Sequence, residues 1–227
     1  MESTPVKLYV DDGSQPSRAC MIFCEMNNIP YEKVETRILK AQHKTEEFKK
    51  INPLGQVPVL QDGEHYFRES HAILKYLHST RNCPDHWYPS DAIKRARVDE
   101  LLDWHHCFLR QGAGNTVFKT LFGPKIGMKF SEGEIEWHKT ILSYSLHMLD
   151  SKFLGNHKFL LSDELTIADL SIFCELTSLG FLSMDFSEYP NIKTWYSAID
   201  SIEEVSKVCK PVKKFIKMFN NQLKAKI

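Results

Sequence analysis

No stretch of this 227-residue chain approaches the roughly 18 consecutive apolar residues needed to cross a bilayer, and the opening Met1-Glu2-Ser3-Thr4-Pro5 has no apolar core of a secretory leader. A cytosolic location is the expectation. Charge of one sign is also missing. The 29 Lys and Arg balance 29 Asp and Glu, so no overall field favours nucleic acid or an acidic polymer, and a small molecule is the expected partner. The chain has no Cys-x-x-Cys pair. Its six cysteines (Cys20, Cys24, Cys83, Cys107, Cys174 and Cys209) are scattered, and neither they nor the ten histidines show zinc-like spacing. They read as reduced packing residues, and no metal or cofactor is expected. What is present is ample apolar material, 42% of residues, over a length that suits two small domains or one large one.

The first 80 residues alternate strand and helix signals. Val6 to Val10 alternates as a short strand, and a helix follows from Pro16, with Ala19, Ile22, Phe23 and Met26 as its apolar stripe. Asn27-Asn28-Ile29-Pro30 ends that helix, and Tyr31 to Thr36 reads as a second strand, so a right-handed parallel crossover is implied. A charged short helix from Thr45 to Lys50, a third strand from Val57 to Leu60, a hairpin turn at Asp62-Gly63, a fourth strand from His65 to Phe67 and a helix from Ser70 to Thr80 complete the unit. The order βαβ, α, ββα predicts an α/β thioredoxin-like domain with a mixed four-stranded sheet, over residues 5–83.

The turn-rich run Asn82 to Pro89 marks the boundary, and residues 90–227 read as an all-α domain. Asp91 caps a long helix with Val98, Leu101, Leu102, Phe108 and Leu109 on one side, interrupted near Gly112-Ala113-Gly114. Ser131 with Glu134 makes a capping box for a second helix, whose apolar positions run from Ile135 to Phe153. Thr166-Ile167-Ala168-Asp169 is another such box, so Asp169 is expected to serve stability and not chemistry. A helix from Ile192 to Ile202 and a last one introduced by Pro211 follow. The final segment holds seven lysines from Lys207 to Lys226 and an apolar stripe of Val212, Phe215, Ile216, Phe219 and Leu223. It reads as a helix docked over the domain in preference to a membrane or polyanion contact.

Two motifs carry chemistry. The run Ile51 to Leu60 contains a Val57-Pro58 bond that is a candidate cis peptide, a bend that turns the Val57 N–H and C=O outward, where an extended ligand can pair with them. Glu69-Ser70 opens a helix, whose free N–H groups and dipole suit a carboxylate, while Glu69 suits an ammonium. A ligand with an amine, a carboxylate and an internal peptide unit satisfies all of these, and glutathione is such a ligand. Each piece has a plainer reading: Asn-Pro-Leu-Gly is an ordinary turn signal, and Ser70 can be a simple cap.

In Ser14 to Ala19, Gln42-His43, Asn52 to Leu60, Glu69-Ser70, Trp87-Tyr88-Pro89, Arg95 to Glu100 and the Thr166 to Asp169 box, the chain resembles a cytosolic glutathione transferase, most closely of the theta class. The resemblance implies a homodimeric detoxification enzyme that binds glutathione, its co-substrate, on the thioredoxin-like domain and electrophiles against the helical one. It makes Ser14 the catalytic hydroxyl and matches Gln15, His43, Val57, Pro58, Glu69 and Ser70 to glutathione-contacting positions, with Arg110 near the sulfur. Cys107 departs from it, standing where some relatives place a polar or acidic residue. Phe118, Phe215 and Met218 are expected to line the electrophile site.

Ser14 is then a hydrogen-bond donor to a thiolate and not a nucleophile, because nothing nearby in sequence supplies a base. Two other readings compete: Ser14 as a plain helix cap, with Ser17 in the first turn as a hydroxyl of similar chemistry, and the Tyr9 phenol within the strand as the donor. The absence of cysteine at position 14 weakens a thiol oxidoreductase reading. His43 also reads as a surface histidine and Arg110 as a solvated residue near a helix break. His105 and His106 read as packing or surface residues. A carrier or assembly module that has lost turnover is the alternative function.

Overall fold

The computed structural model describes residues 5–225, which leaves Met1 to Thr4, Lys226 and Ile227 outside the described residues. Strand β1 (Val6–Val10) buries Val6, Leu8 and Val10 on one face, as its alternation requires, and pairs in parallel with β2 (Tyr31–Glu35). On its other edge β1 meets β3 (Val59–Asp62) antiparallel, and β3 meets β4 (His65–Arg68) antiparallel, so the sheet order is β2-β1-β3-β4. The expected mixed four-stranded sheet is present. Its details differ at two points: β3 begins at Val59 instead of Val57, because Val57 and Pro58 stay outside the ladder, and the hairpin turn is Gly63-Glu64, since Asp62 still pairs with His65. Gly63 takes the positive φ that a two-residue turn demands.

Helix α1 (Gln15–Met26) crosses from β1 to β2 and is buried continuously from Ser17 to Cys24. A surface helix would bury one stripe; this one packs against the sheet's own layer and against helices of the second domain. Helices α2 (Glu46–Ile51) and α3 (Ser70–Thr80) finish the first domain. Trp87, buried edge-on against Phe23, pins the connecting segment to α1.

The second domain holds α4 (Ala92–Trp104), α5 (Arg110–Val117), α6 (Glu132–Met148), α7 (Ile167–Thr177), α8 (Pro190–Asp200) and α9 (Glu203–Lys224). Asp91 caps α4, and both capping boxes are formed. Helix α7 is buried along its whole length and forms the axis of the domain. Helix α9 docks by Val205, Val208, Val212 and Phe219, with Phe215 and Ile216 partly buried, as its apolar stripe predicts except at Leu223, which is exposed near the end of the helix.

Three expectations fail here. The break between α4 and α5 is not at Gly112-Ala113-Gly114 but at a π-helical turn, His105–Leu109, after which the helix runs straight through both glycines. Phe108, placed on that turn, is exposed and not part of the buried side. Pro211 lies well inside α9 instead of opening a helix. Pro211 and Lys207 are both exposed, so the carbonyl that loses its amide partner is open to solvent.

Gly112 is at a close helix crossing: a Cβ there would stand 2.5 Å from the Leu142 amide nitrogen of α6. Gly112→Ala is therefore expected to destabilise the fold by about 1–3 kcal/mol through overpacking, even though alanine is the better helix former by about 1 kcal/mol. A urea unfolding midpoint equal to or above the native one would contradict that packing argument.

Candidate active site

Beside the end of β1, the turn Asp11-Asp12-Gly13 leads into Ser14, the N-cap of α1, whose Oγ accepts from the Ser17 amide at 3.4 Å. Ser14 is buried yet lines a cleft of about 760 Å³ between the two domains. Because Oγ uses a lone pair for the cap, its own hydrogen remains available to a group in the cleft. Neither competing hydroxyl is placed this way. Ser17 is fully buried and turns back toward the Asp11 amide, while Tyr9 donates to Gln61 Oε1 at 3.0 Å, packs on Phe48 and lines no part of the cleft. Burial also pushes the Tyr9 phenol above its ordinary value, with the neighbouring Tyr66 acting in the same direction.

The second wall comes from the segment before β3. Asn52, buried, donates to the Gln56 carbonyl at 2.8 Å and accepts from the Leu54 amide at 3.1 Å, tying the Asn-Pro-Leu-Gly turn into one unit. Gly55 closes it at φ +57°, where a Cβ would meet the His43 carbonyl at 2.7 Å. Lys44 Nζ donates to the Gly55 carbonyl at 3.0 Å. Beyond this turn the Val57–Pro58 bond is cis, and both residues line the cleft.

The third wall is the start of α3. Ser70 is its first residue and Glu69 its N-cap, held at φ +65°, a conformation uncommon for a residue with a side chain. Both line the cleft, Glu69 exposed. Free helix N–H groups and a carboxylate thus stand side by side, the donor and acceptor pair that an amino-acid end of a ligand requires. His43 joins them, half-buried, with Nδ1 unpaired among the described residues, and burial together with Lys44 lowers its basicity.

The fourth wall belongs to the helical domain. Arg110, first residue of α5, donates to Glu175 Oε2 at 3.0 Å, and Gln15 Nε2 reaches Glu175 Oε1 at 3.4 Å. His105 and His106 also line the cleft, which sequence reasoning had assigned to packing or surface. Both sit at the start of the π turn, where it faces α3 across the cleft. His105 Nδ1 lies 3.2 Å from His71 Nε2 across the domains. Burial, with His105 and His106 adding repulsion, pushes His71 down to about 3, so it stays neutral at physiological pH.

Ser14, Gln15, His43, Val57, Pro58, Glu69, Ser70 and Arg110 therefore meet in one cleft, and Phe118 stands at its edge. Phe215 and Met218 do not line it: Phe215 packs with Phe181 and Phe219, and Met218 is exposed. Their expected place depended on how α9 rotates on the domain, which periodicity alone does not specify. Cys107 is exposed on the π turn. Sequence reasoning missed Glu175 and His71; the only signal was a lone carboxylate inside the apolar α7 run.

A thioredoxin-like sheet domain joined to a helical domain, with a cleft at their junction lined by both, places the chain among two-domain proteins of the thioredoxin-like class. The family models for the N-terminal and C-terminal domains of glutathione S-transferase match residues 4–79 and 114–203. Glutathione S-transferase T1 of Arabidopsis thaliana is 46% identical over 180 residues, 78% of this chain and 74% of that protein. Human glutathione S-transferase theta-2B is 40% identical over 197 residues, 86% of this chain and 81% of that protein. The crystal structure of human glutathione transferase theta-2 in complex with glutathione and an unknown ligand superposes with a TM-score of 0.87 at 36% identity, covering 97% of this chain and 91% of that one. The chain belongs to the glutathione S-transferase family and is a theta-like member of it.

Proposed function

We propose that this enzyme conjugates the thiolate of glutathione to small hydrophobic electrophiles such as alkyl and aryl halides and epoxides, with Ser14 donating its hydroxyl hydrogen to the sulfur. The observation that carries the reading is the coincidence in one cleft of a helix-capping hydroxyl, the Val57 backbone, the Glu69-Ser70 pair and the Arg110 guanidinium. Glutathione lies extended along the second and third walls, its γ-glutamyl ammonium toward Glu69, its carboxylate on the Ser70 amide and its cysteinyl backbone against Val57. The sulfur then falls at Ser14. Gln15 and His43 add contacts, and Phe118 offers an apolar surface to the electrophile.

The thiolate attacks carbon, a C–S bond forms, and the C–halogen bond breaks with its electron pair leaving as halide. With an epoxide the C–O bond breaks and the alkoxide takes up a proton. The same thiolate can attack the outer oxygen of an organic hydroperoxide, releasing the alcohol, after which the sulfenic acid condenses with a second glutathione to give disulfide and water. Glutathione is a co-substrate, no further cofactor takes part, and the enzyme acts as a cytoplasmic homodimer in detoxification.

Retention on immobilised glutathione, followed by a panel of a halide, an epoxide and cumene hydroperoxide, tests this reading. Turnover of at least one class is the expected result. Retention of apolar ligands with no turnover of any class would favour the carrier alternative.

A further inference from the structure

Glu175 has no exposed surface, yet its carboxylate is where three cleft side chains from different elements converge: Gln15 of α1 at 3.4 Å, Arg110 of α5 at 3.0 Å and His105 of the π turn at 3.5 Å. The molecule is shaped around it. A Cβ on Gly114 of α5 would approach Glu175 Oε1 to 3.1 Å, so the glycine leaves space where any other residue would press on the carboxylate. Burial alone would push the carboxyl up, but His105, Arg110 and Arg18 outweigh burial and hold it below its ordinary value, ionised. Around it stand Gln15 and Arg18 from α1, His105 with His71 of α3 behind it, Arg110 from α5, and the neighbouring thiol Cys174 on α7 itself. The cleft beyond adds His43, Lys44, Glu69 and His106.

A fully buried charge is costly, and a glutamine or a methionine would fill the same space. Its position beside Gln15, the residue following Ser14, links it to the reaction. We propose that Glu175 is a positioning residue that holds Arg110 and Gln15 in the cleft and neutralises part of the guanidinium charge, so that the glutathione sulfur is ionised without losing its nucleophilicity. The inference rests on the reading that Ser14 and Arg110 stabilise the thiolate. Its logic is that nucleophilicity falls as a thiol becomes more acidic, with a Brønsted slope of about 0.4–0.5, so the best attacking thiol is one whose pKa lies near the ambient pH. An unopposed arginine would over-acidify the sulfur.

Three variants, followed at saturating glutathione by the pH profile of turnover and by ultraviolet titration of the bound thiolate, test the proposal. Glu175→Gln is expected to move the acid limb about one unit to lower pH. It should also lower the plateau rate about threefold, the loss that slope gives for one unit. Glu175→Asp, which keeps the charge, should return the limb to the native position, and Arg110→Gln should move it to higher pH. A uniform loss of rate in Glu175→Gln with the limb unmoved would mean that the carboxylate is structural, and the proposal would fail. If Glu175→Gln does not fold, Arg110→Gln decides, because a limb that fails to rise there overturns the proposal as well. Ser14→Ala run in parallel separates the two readings: an unchanged thiolate titration in that variant defeats the Ser14 assignment, whereas a raised one beside an unmoved Glu175→Gln limb defeats this inference alone.

Discussion

Alanine at position 14 is expected to lower kcat/KM for conjugation about 10- to 150-fold near neutral pH. The range follows from one hydrogen bond to a charged group, about 1.5–3 kcal/mol, which is present with the thiolate and absent with the neutral thiol. A free thiol with a pKa near 8.5 is only a few per cent ionised at pH 7, and each unit of depression needs about 1.4 kcal/mol. The N-terminus of α1 supplies up to about 1 kcal/mol more through its dipole, and Ser14→Ala leaves that contribution in place. Activity should therefore be reduced and recover at alkaline pH. Tyr9→Phe serves as the control, because Tyr9 is bonded to Gln61 on the far side of the sheet and should lie within about twofold of the native rate. The reverse pattern, with Tyr9→Phe inactive and Ser14→Ala intact, would transfer the donor role to the phenol. Rates must be normalised to folded protein, since losing the cap itself costs about 0.5–2 kcal/mol of stability.

Asp169→Ala should produce the largest loss of stability, about 3–5 kcal/mol, with little change in the specific activity of the molecules that remain folded. The carboxylate is fully buried and serves four donors. One oxygen accepts from Thr166 N at 2.9 Å and Thr166 Oγ1 at 2.8 Å; the other accepts from Leu160 N at 3.1 Å and Trp195 Nε1 at 3.0 Å. Removing it leaves buried N–H groups without partners, each costing about 1–3 kcal/mol, and the losses are shared because the network can partly relax. For a chain of this size the thermal midpoint should fall by roughly 10 °C. A midpoint within about 2 °C of native would show that the capping box contributes far less than its geometry implies.

Asp169 also shows how far a sequence can be read. Thr166 and Asp169 are three residues apart, and reciprocal capping follows from helix geometry alone, so the box is legible without coordinates. That the second oxygen ties Trp195 of α8 and the Leu160 loop to α7 is not legible, because nothing local relates residues 26 positions apart. The cleft divides the same way. Ser14, Glu69-Ser70 and Val57-Pro58 each carry a local signature: a cap after a strand, a polar pair opening a helix, a proline before a strand. His71 and His105 carry none, since an isolated histidine has the same pattern whether it is solvated or buried, and Glu175 carries only its place as a carboxylate in an apolar run, which does not say what it meets.

The errors share that cause. Gly112 and Gly114 read as helix breakers because glycine propensity is a local quantity, whereas here they accommodate Leu142 and Glu175 from neighbouring helices. Pro211 read as a helix start, yet α9 continues through it, since packing of Val205, Val208 and Val212 on one face holds both sides of the proline in line. The amino-acid order by itself determined the two-domain plan, the mixed sheet and the caps, because these depend on periodicity and short-range hydrogen bonding, while the family was legible only as a resemblance of motifs. Which face of the π turn meets α3, and which buried carboxylate meets Arg110, was decided only in the tertiary structure, where the contacts that fix a side chain come from residues distant in the chain.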